Sequence, residues 1–131
     1  MDTAENRQAI RTAFGHWEGG DSRPFFELVD DDVRWTVIGS TAISGTFESK
    51  RTFMADAAGK LTDRLTSPLT AKLVDVSADG DKVFVQWEGT ASSASGVPYD
   101  QTYCWVLKMS GGRITEAVAY LDTELVSAVL A

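Results

Sequence analysis

A change of period near residue 69 constrains this chain more than any other feature. Before it, apolar residues recur at helical spacing; after it, four segments rich in alternating, β-branched and aromatic residues follow one another. They are "LTAKLVDVS" at 69–77, "KVFVQWEGTA" at 82–91, "YDQTYCWVLKM" at 99–109 and "RITEAVAYL" at 113–121, divided by the turn sequences "ADGD", "SSASGVP" and "SGG". Connections this short join strands that are neighbours in space, so a sequential antiparallel meander is expected.

Upstream, Asp2 and Glu5 form a capping pair ahead of Ile10, Ala13, Phe14 and Trp17, a helical stripe that Gly19 and Gly20 stop. Asp21 or Ser22 can cap a short second helix with Pro24 in its first turn and Phe25, Phe26, Leu28 and Val29 as apolar content. The acidic run at 30–32 is expected in a solvated turn, "VRWTVIG" at 33–39 as a strand, and "STAISGTF" as an irregular arm. After Ser49, the stripe of Phe53, Met54, Ala57, Leu61 and Leu65 predicts a third helix that ends before Pro68. The tail "TELVSAVLA" predicts a last helical turn or two, or an arm packed on a partner. Helices first and a curling sheet afterwards make an α+β fold: three N-terminal helices pack on a strongly curved, mostly antiparallel sheet that encloses a pocket. Both faces of the last strands carry apolar residues, so one is expected to cover the helices and the other to meet a second subunit.

Length and charge narrow the function. At 131 residues with 44% hydrophobic content, the chain makes one domain able to bury a core without disulfides or a structural metal. The single cysteine, Cys104, sits between Tyr103 and Trp105 in an apolar run and reads as a packed thiol. Twelve basic against nineteen acidic residues give a formal net charge of -7, the wrong sign for nucleic acid or an anionic membrane surface. The first residues lack a secretory pattern and no apolar run approaches the roughly 20 residues that cross a bilayer, so a soluble cytoplasmic protein is expected. No nucleophile elbow, phosphate loop or dinucleotide fingerprint occurs, and one His with one Cys cannot supply a usual zinc set. Neither a cofactor nor a metal is expected.

With this order of elements, "AFGHWEGGD", "FFELVDDDVRWTVIG" and "YCWVLKMSGGRITEAVAYLDTELV" give the chain its likeness to a known family. It resembles the nuclear transport factor 2-like superfamily, in particular the SnoaL-like and ketosteroid-isomerase-related group, over almost its whole length. The resemblance implies a cone-shaped α+β domain around one deep apolar pocket, commonly dimeric through the outer sheet face. Its activities include isomerases, cyclases, dehydratases, epoxide hydrolases and proteins that only bind, so the reaction has to be argued from the site. The steroid isomerases use a helix tyrosine and an aspartate beside the first strand; these positions fall on or near Ala13 and Val37, so that pair is absent. In SnoaL-like cyclases and limonene-type epoxide hydrolases an aspartate at the end of the last strand enters the pocket, and Asp122 matches it. The hydrolases' second carboxylate falls near Glu88 and their arginine near Gln86, a lost cation that weighs against epoxide hydrolysis.

Asp122 then has two readings. It can accept the free amides of a C-terminal helix as its N-cap. By strand parity with Val118 and Tyr120, it can instead be a desolvated acid/base on the pocket wall. Tyr120 would reach the same space, Glu88 is either the outward member of an alternating strand or a second acid, and His16 is either a surface residue or a pocket base. Asp100 is expected to shape a strand entrance. Phe14, Trp17, Trp35, Phe53, Trp87 and Trp105 are core aromatics that would also line a pocket for a flat or cyclic apolar ligand. Two functions follow: a cofactor-independent acid/base enzyme acting on a small apolar cyclic or polyketide-like molecule, with Asp122, Tyr120, His16 and Glu88 as its catalytic set, or a binding or dimerisation module of the same fold. Its partners would be that small molecule and a second copy of the chain, with no nucleic acid and no membrane.

Overall fold

The computed structural model describes residues 2–131 as a curved, unclosed six-stranded sheet with helices at its N-terminal end, the α+β architecture expected. Helix α1 (Thr3–Glu18) starts at a capping box in which the Asp2 carboxylate accepts the Glu5 amide at 2.8 Å. It buries Ile10, Ala13, Phe14 and Trp17 against the sheet. Buried Asn6 donates to the Gly80 carbonyl at 3.2 Å, and the Glu18 carboxylate accepts the Leu73 amide at 2.8 Å, so both ends of the helix are tied to the far side of the sheet. Helix α2 (Arg23–Glu27) ends one residue before Leu28, because the chain turns there into strand β1 (Val29–Val37).

That strand corrects the expected acidic turn. Asp30, Asp31 and Asp32 lie within β1, where Asp31 and Asp32 point to solvent and the Arg113 guanidinium meets the Asp30 carboxylate at 3.3 Å. The "irregular arm" also contains a strand, β2 (Gly45–Phe47), paired antiparallel to β1.

The expected third helix is one helical segment in three pieces: α3 (Lys50–Phe53), a π-helical turn (Met54–Ala58) and α4 (Gly59–Thr62). The Ser49 side chain caps α3 by accepting from the Thr52 amide. Gly59 explains the break: its N–H reaches the Met54 carbonyl five residues back, and a Cβ at Gly59 would stand 2.6 Å from that oxygen. No other residue type fits this turn without moving the backbone.

Strands β3 (Thr70–Asp79), β4 (Lys82–Ala91), β5 (Tyr99–Ser110) and β6 (Arg113–Leu121) form the expected antiparallel meander. The full order is β2-β1-β6-β5-β4-β3, with β1 parallel to β6, so the N-terminal strand closes over the meander's last member. Alternation decides the faces. Val83, Val85 and Trp87 of β4, Tyr103, Trp105 and Leu107 of β5, and Ala117 and Ala119 of β6 are buried beneath the helices. The tail forms helix α5 (Thr123–Leu130), which buries Val126 and Val129. Among the described residues no helix is long and apolar enough to cross a membrane.

Candidate functional site

A cavity of about 400 Å³ lies between the inner sheet face and the helical segment at 50–62. Trp87 of β4, Tyr103 and Trp105 of β5, Ala119 and Leu121 of β6, and Trp35 and Val37 of β1 form its sheet wall. The opposite wall is Phe53, Met54, Ala57, Ala58 and Leu61, and Trp17, Phe26 and Leu69 close one end. Its volume lies within the range of sites for small organic ligands. The room comes from β6: opposite the large rings of β5, the register sets Trp105 against Ala119, so an alanine stands where a bulky side chain would fill the space.

The aromatic wall is a packed array. Trp87 stacks on Tyr103 with centroids 4.2 Å apart and planes 9° from parallel, and Trp35 stacks on Phe53 at 4.2 Å. Gly89 permits the first stack, since a Cβ there would come within 3.1 Å of both rings. Five of the six expected ligand-binding aromatics, Trp17, Trp35, Phe53, Trp87 and Trp105, border the cavity. Phe14 does not: fully buried, it packs behind the wall against Trp17, Phe25 and Trp87.

The four expected acid/base residues lie elsewhere. Asp122 is the N-cap of α5, with an exposed side chain that accepts the Leu125 amide at 3.1 Å. The parity argument for it reverses. The odd residues of β6, Ala117, Ala119 and Leu121, face inward, so Val118 and Tyr120 stand on the outer face and Tyr120 remains 46% exposed. Glu88 alternates outward between buried Trp87 and Gly89, and His16 is exposed on α1. Consequently, among the described residues the cavity wall holds no Asp, Glu, His, Lys or Arg.

The wall's one titratable side chain is Tyr103, which belongs to a polar chain that sequence reasoning missed. Tyr99, Gln101 and Tyr103 share the inner face of β5 and are all buried. The two phenolic oxygens are 2.6 Å apart. The Gln101 amide nitrogen donates to the Asp122 carbonyl at 3.0 Å and toward Tyr99 Oη at 3.4 Å, while its oxygen accepts the Asp122 amide at 2.8 Å and the Thr102 amide at 3.0 Å. Gln101 therefore holds the backbone where β6 turns into α5. The legible signal was a polar residue between two tyrosines at alternating positions in "YDQTY". Burial pushes the Tyr99 hydroxyl above its ordinary 10.0 and drives Tyr103 well above it, so both are neutral donors at physiological pH. Trp17 Nε1 donates to the Leu69 carbonyl at 2.9 Å, whereas the buried indole N–H groups of Trp35, Trp87 and Trp105 have no acceptor in the protein. No group of three metal-ligating side chains is gathered among the described residues.

The comparisons agree with this architecture. A SnoaL-like domain model matches residues 10–117, and the chain belongs to that family. Similar solved structures include Bal32a from a soil-derived mobile gene cassette, 21% identical with a TM-score of 0.82 and 98% of each chain covered. A nuclear transport factor 2-like protein from Burkholderia thailandensis is 18% identical, with a TM-score of 0.79, covering 100% of this chain and 99% of that one. A protein of ketosteroid isomerase-like fold from Catenulispora acidiphila, in complex with trimethylamine, is 17% identical, with a TM-score of 0.69 and 93% of each chain covered. These likenesses establish the fold. No curated protein matches the chain.

Two outcomes test the site's geometry. Removing the cap with Asp122→Ala should cost about 1 kcal/mol in urea unfolding, while Asp122→Asn, which keeps a capping oxygen, should stay within about 0.5 kcal/mol of the parent. Equal losses would mean that the charge, not the cap, is what matters. The tyrosines set the alkaline limit. Above pH 10 the unfolded chain releases protons that native Tyr99 and Tyr103 retain, so stability should fall as pH climbs from there toward the raised native values. Urea midpoints measured across that range should decline less steeply in Tyr103→Phe; an unchanged slope would contradict the assignment.

Proposed function

We propose that this SnoaL-like domain binds a small apolar, cyclic molecule in its aromatic cavity. The observation that carries the reading is the composition of the wall: tryptophan, phenylalanine and aliphatic side chains, with no carboxylate, imidazole or cation among the described residues. Such a wall gains free energy by removing apolar ligand surface from water, and its rings offer flat faces to a ring system. It gives little to an ionic ligand, whose charge would lose its hydration without compensation.

A cofactor-independent acid/base enzyme on the same class of molecule is the second reading. Tyr103 is the observation on its side, as the single titratable group on the wall. Asp122, Glu88, His16 and Tyr120 could join such chemistry only from outside the cavity as it stands. The two readings separate on whether the ligand is recovered unchanged.

Calorimetric titration with tetralin, an uncharged bicyclic hydrocarbon, tests the first reading. Saturable binding with a negative heat-capacity change is expected, and Ala58→Phe, which places a ring in the cavity from a partly exposed wall position, should weaken it at least about tenfold. Undiminished binding in that variant would move the ligand out of this cavity.

The outer sheet face is proposed to pair with a second copy of the chain. Cross-strand register puts Phe84, Val106 and Val118 in one row and Gln86, Cys104 and Tyr120 in the next, and Phe84 and Tyr120 are 38% and 46% exposed in the single chain. Polar residues bound this patch: Lys82, Lys108 and Glu116 at one end, Glu88 and Thr102 at the other. An apolar centre with a polar rim suits a self-complementary two-fold contact. Sedimentation equilibrium should find a dimer that Phe84→Lys converts to monomer; a monomeric parent protein would refute the pairing.

A further inference from the structure

The aromatic cavity has a polar neighbour. Pro68 and Thr70 border the cavity and also border a second hollow of about 530 Å³ on the outer side of the sheet. One cross-strand row, Thr70, Thr90 and Asp100, belongs to its floor, and the connection from β4 to β5 supplies one side. That connection is fastened before any ligand arrives: the Thr66 amide donates to the Ser92 carbonyl and the Ala94 amide to the Arg64 carbonyl, both at 2.9 Å. A site whose walls are already held costs less to occupy. The row lies one step beyond Glu88 and Thr102, outside the apolar patch proposed to meet a second copy of the chain.

The polar groups of this hollow include both donors and acceptors. Ser67 Oγ accepts the Ser92 amide at 2.8 Å, which leaves its proton to donate. Thr70 Oγ1 donates to the Thr90 carbonyl at 3.2 Å, which leaves its lone pairs to accept. The Thr90 and Ser92 hydroxyls and the Asp100 carboxylate, all on exposed residues, make no side-chain hydrogen bond or ion pair among the described residues. No Lys, Arg or His borders the hollow, so an anion would meet the Asp100 charge with nothing to balance it. Pro68 and Pro98 add carbon surface beside these oxygens. Hydroxyl groups both give and receive hydrogen bonds, and a sugar carries several of them around a ring with C–H faces, which is the chemistry this lining matches.

We infer that cavity and hollow hold two parts of one ligand: an apolar ring system in the cavity bears a sugar-like, hydroxylated substituent that crosses Pro68 into the hollow. This rests on the cavity being a ligand site, and matched probes keep the two apart. β-Naphthyl glucoside and β-naphthyl methyl ether share one ring system and one ether oxygen and differ by the sugar. Calorimetric titration of the full chain should find the glucoside bound about fivefold to tenfold more tightly, and Asp100→Ala combined with Thr90→Val should bring the ratio of the two affinities close to one without changing that of the methyl ether. In the unsubstituted protein, the backbone amide signals of Thr90, Ser92 and Asp100 should shift with the glucoside and hold still with the methyl ether. Ala58→Phe should weaken both probes. Equal affinities for the two probes, or a preference for the glucoside that survives in the double variant, would overturn the inference while leaving the cavity reading in place. A glucoside still bound undiminished in Ala58→Phe, with the methyl ether lost, would make the hollow a separate site and overturn it too. If neither probe binds, the cavity reading falls and this one with it.

Discussion

The register of β6 against β5 is the constraint on which the rest depends. Pairing Tyr103 with Leu121, Trp105 with Ala119 and Leu107 with Ala117 turns the alanines toward the helices and Val118 and Tyr120 away from them. Large rings on β4 and β5 thus face small side chains on β6, and the sheet's curvature leaves a space instead of a closed core. A slip of one residue would exchange the faces, filling the cavity with Tyr120 and Val118 and putting alanines outside. Gln101 guards against that slip at the strand's far end, where its amide takes both the N–H and the carbonyl of Asp122.

Much of the fold was legible because its signals are local. The turns after Asp79, Ala91 and Ser110 and the alternation between them fix the meander, and the capping box at Asp2 fixes the first helix, with no reference to distant residues. What local pattern misses is pairing. β1 joins β6 in parallel although the helical segment and four strands separate them, and that long-range partnership draws the acidic run at 30–32 into a strand. Likewise the π-turn at Met54–Ala58 depends on a glycine that, read by spacing alone, interrupts an otherwise regular stripe.

The site was half legible for a related reason. Trp17, Trp35, Phe53, Trp87 and Trp105 announce an aromatic interior by their chemistry, and the three on strands, Trp35, Trp87 and Trp105, occupy buried positions of their alternating patterns. β6 has apolar residues on both faces, so hydrophobicity cannot say which face is inner; only its neighbour's register does. Taking the larger pair, Val118 and Tyr120, as the inward set carried Asp122 to the wrong side. The alternation in "YDQTY" marks Gln101 as sharing a face with two tyrosines, but its partners, the backbone groups of Asp122, lie 21 residues further along the chain, where no local pattern names them.

The proposed function turns on an aromatic cavity whose wall carries Tyr103 and no carboxylate, imidazole or cation among the described residues. The most direct measurement is a map of where an apolar cyclic molecule lands: two-dimensional ¹H–¹⁵N spectra of the protein titrated with tetralin. The indole N–H signals of Trp35, Trp87 and Trp105 should shift progressively while the backbone amides of His16, Glu88 and Tyr120 hold still. Shifts concentrated at Glu88 and Tyr120, with the three indoles unmoved, would place the ligand on the outer sheet face and contradict the account.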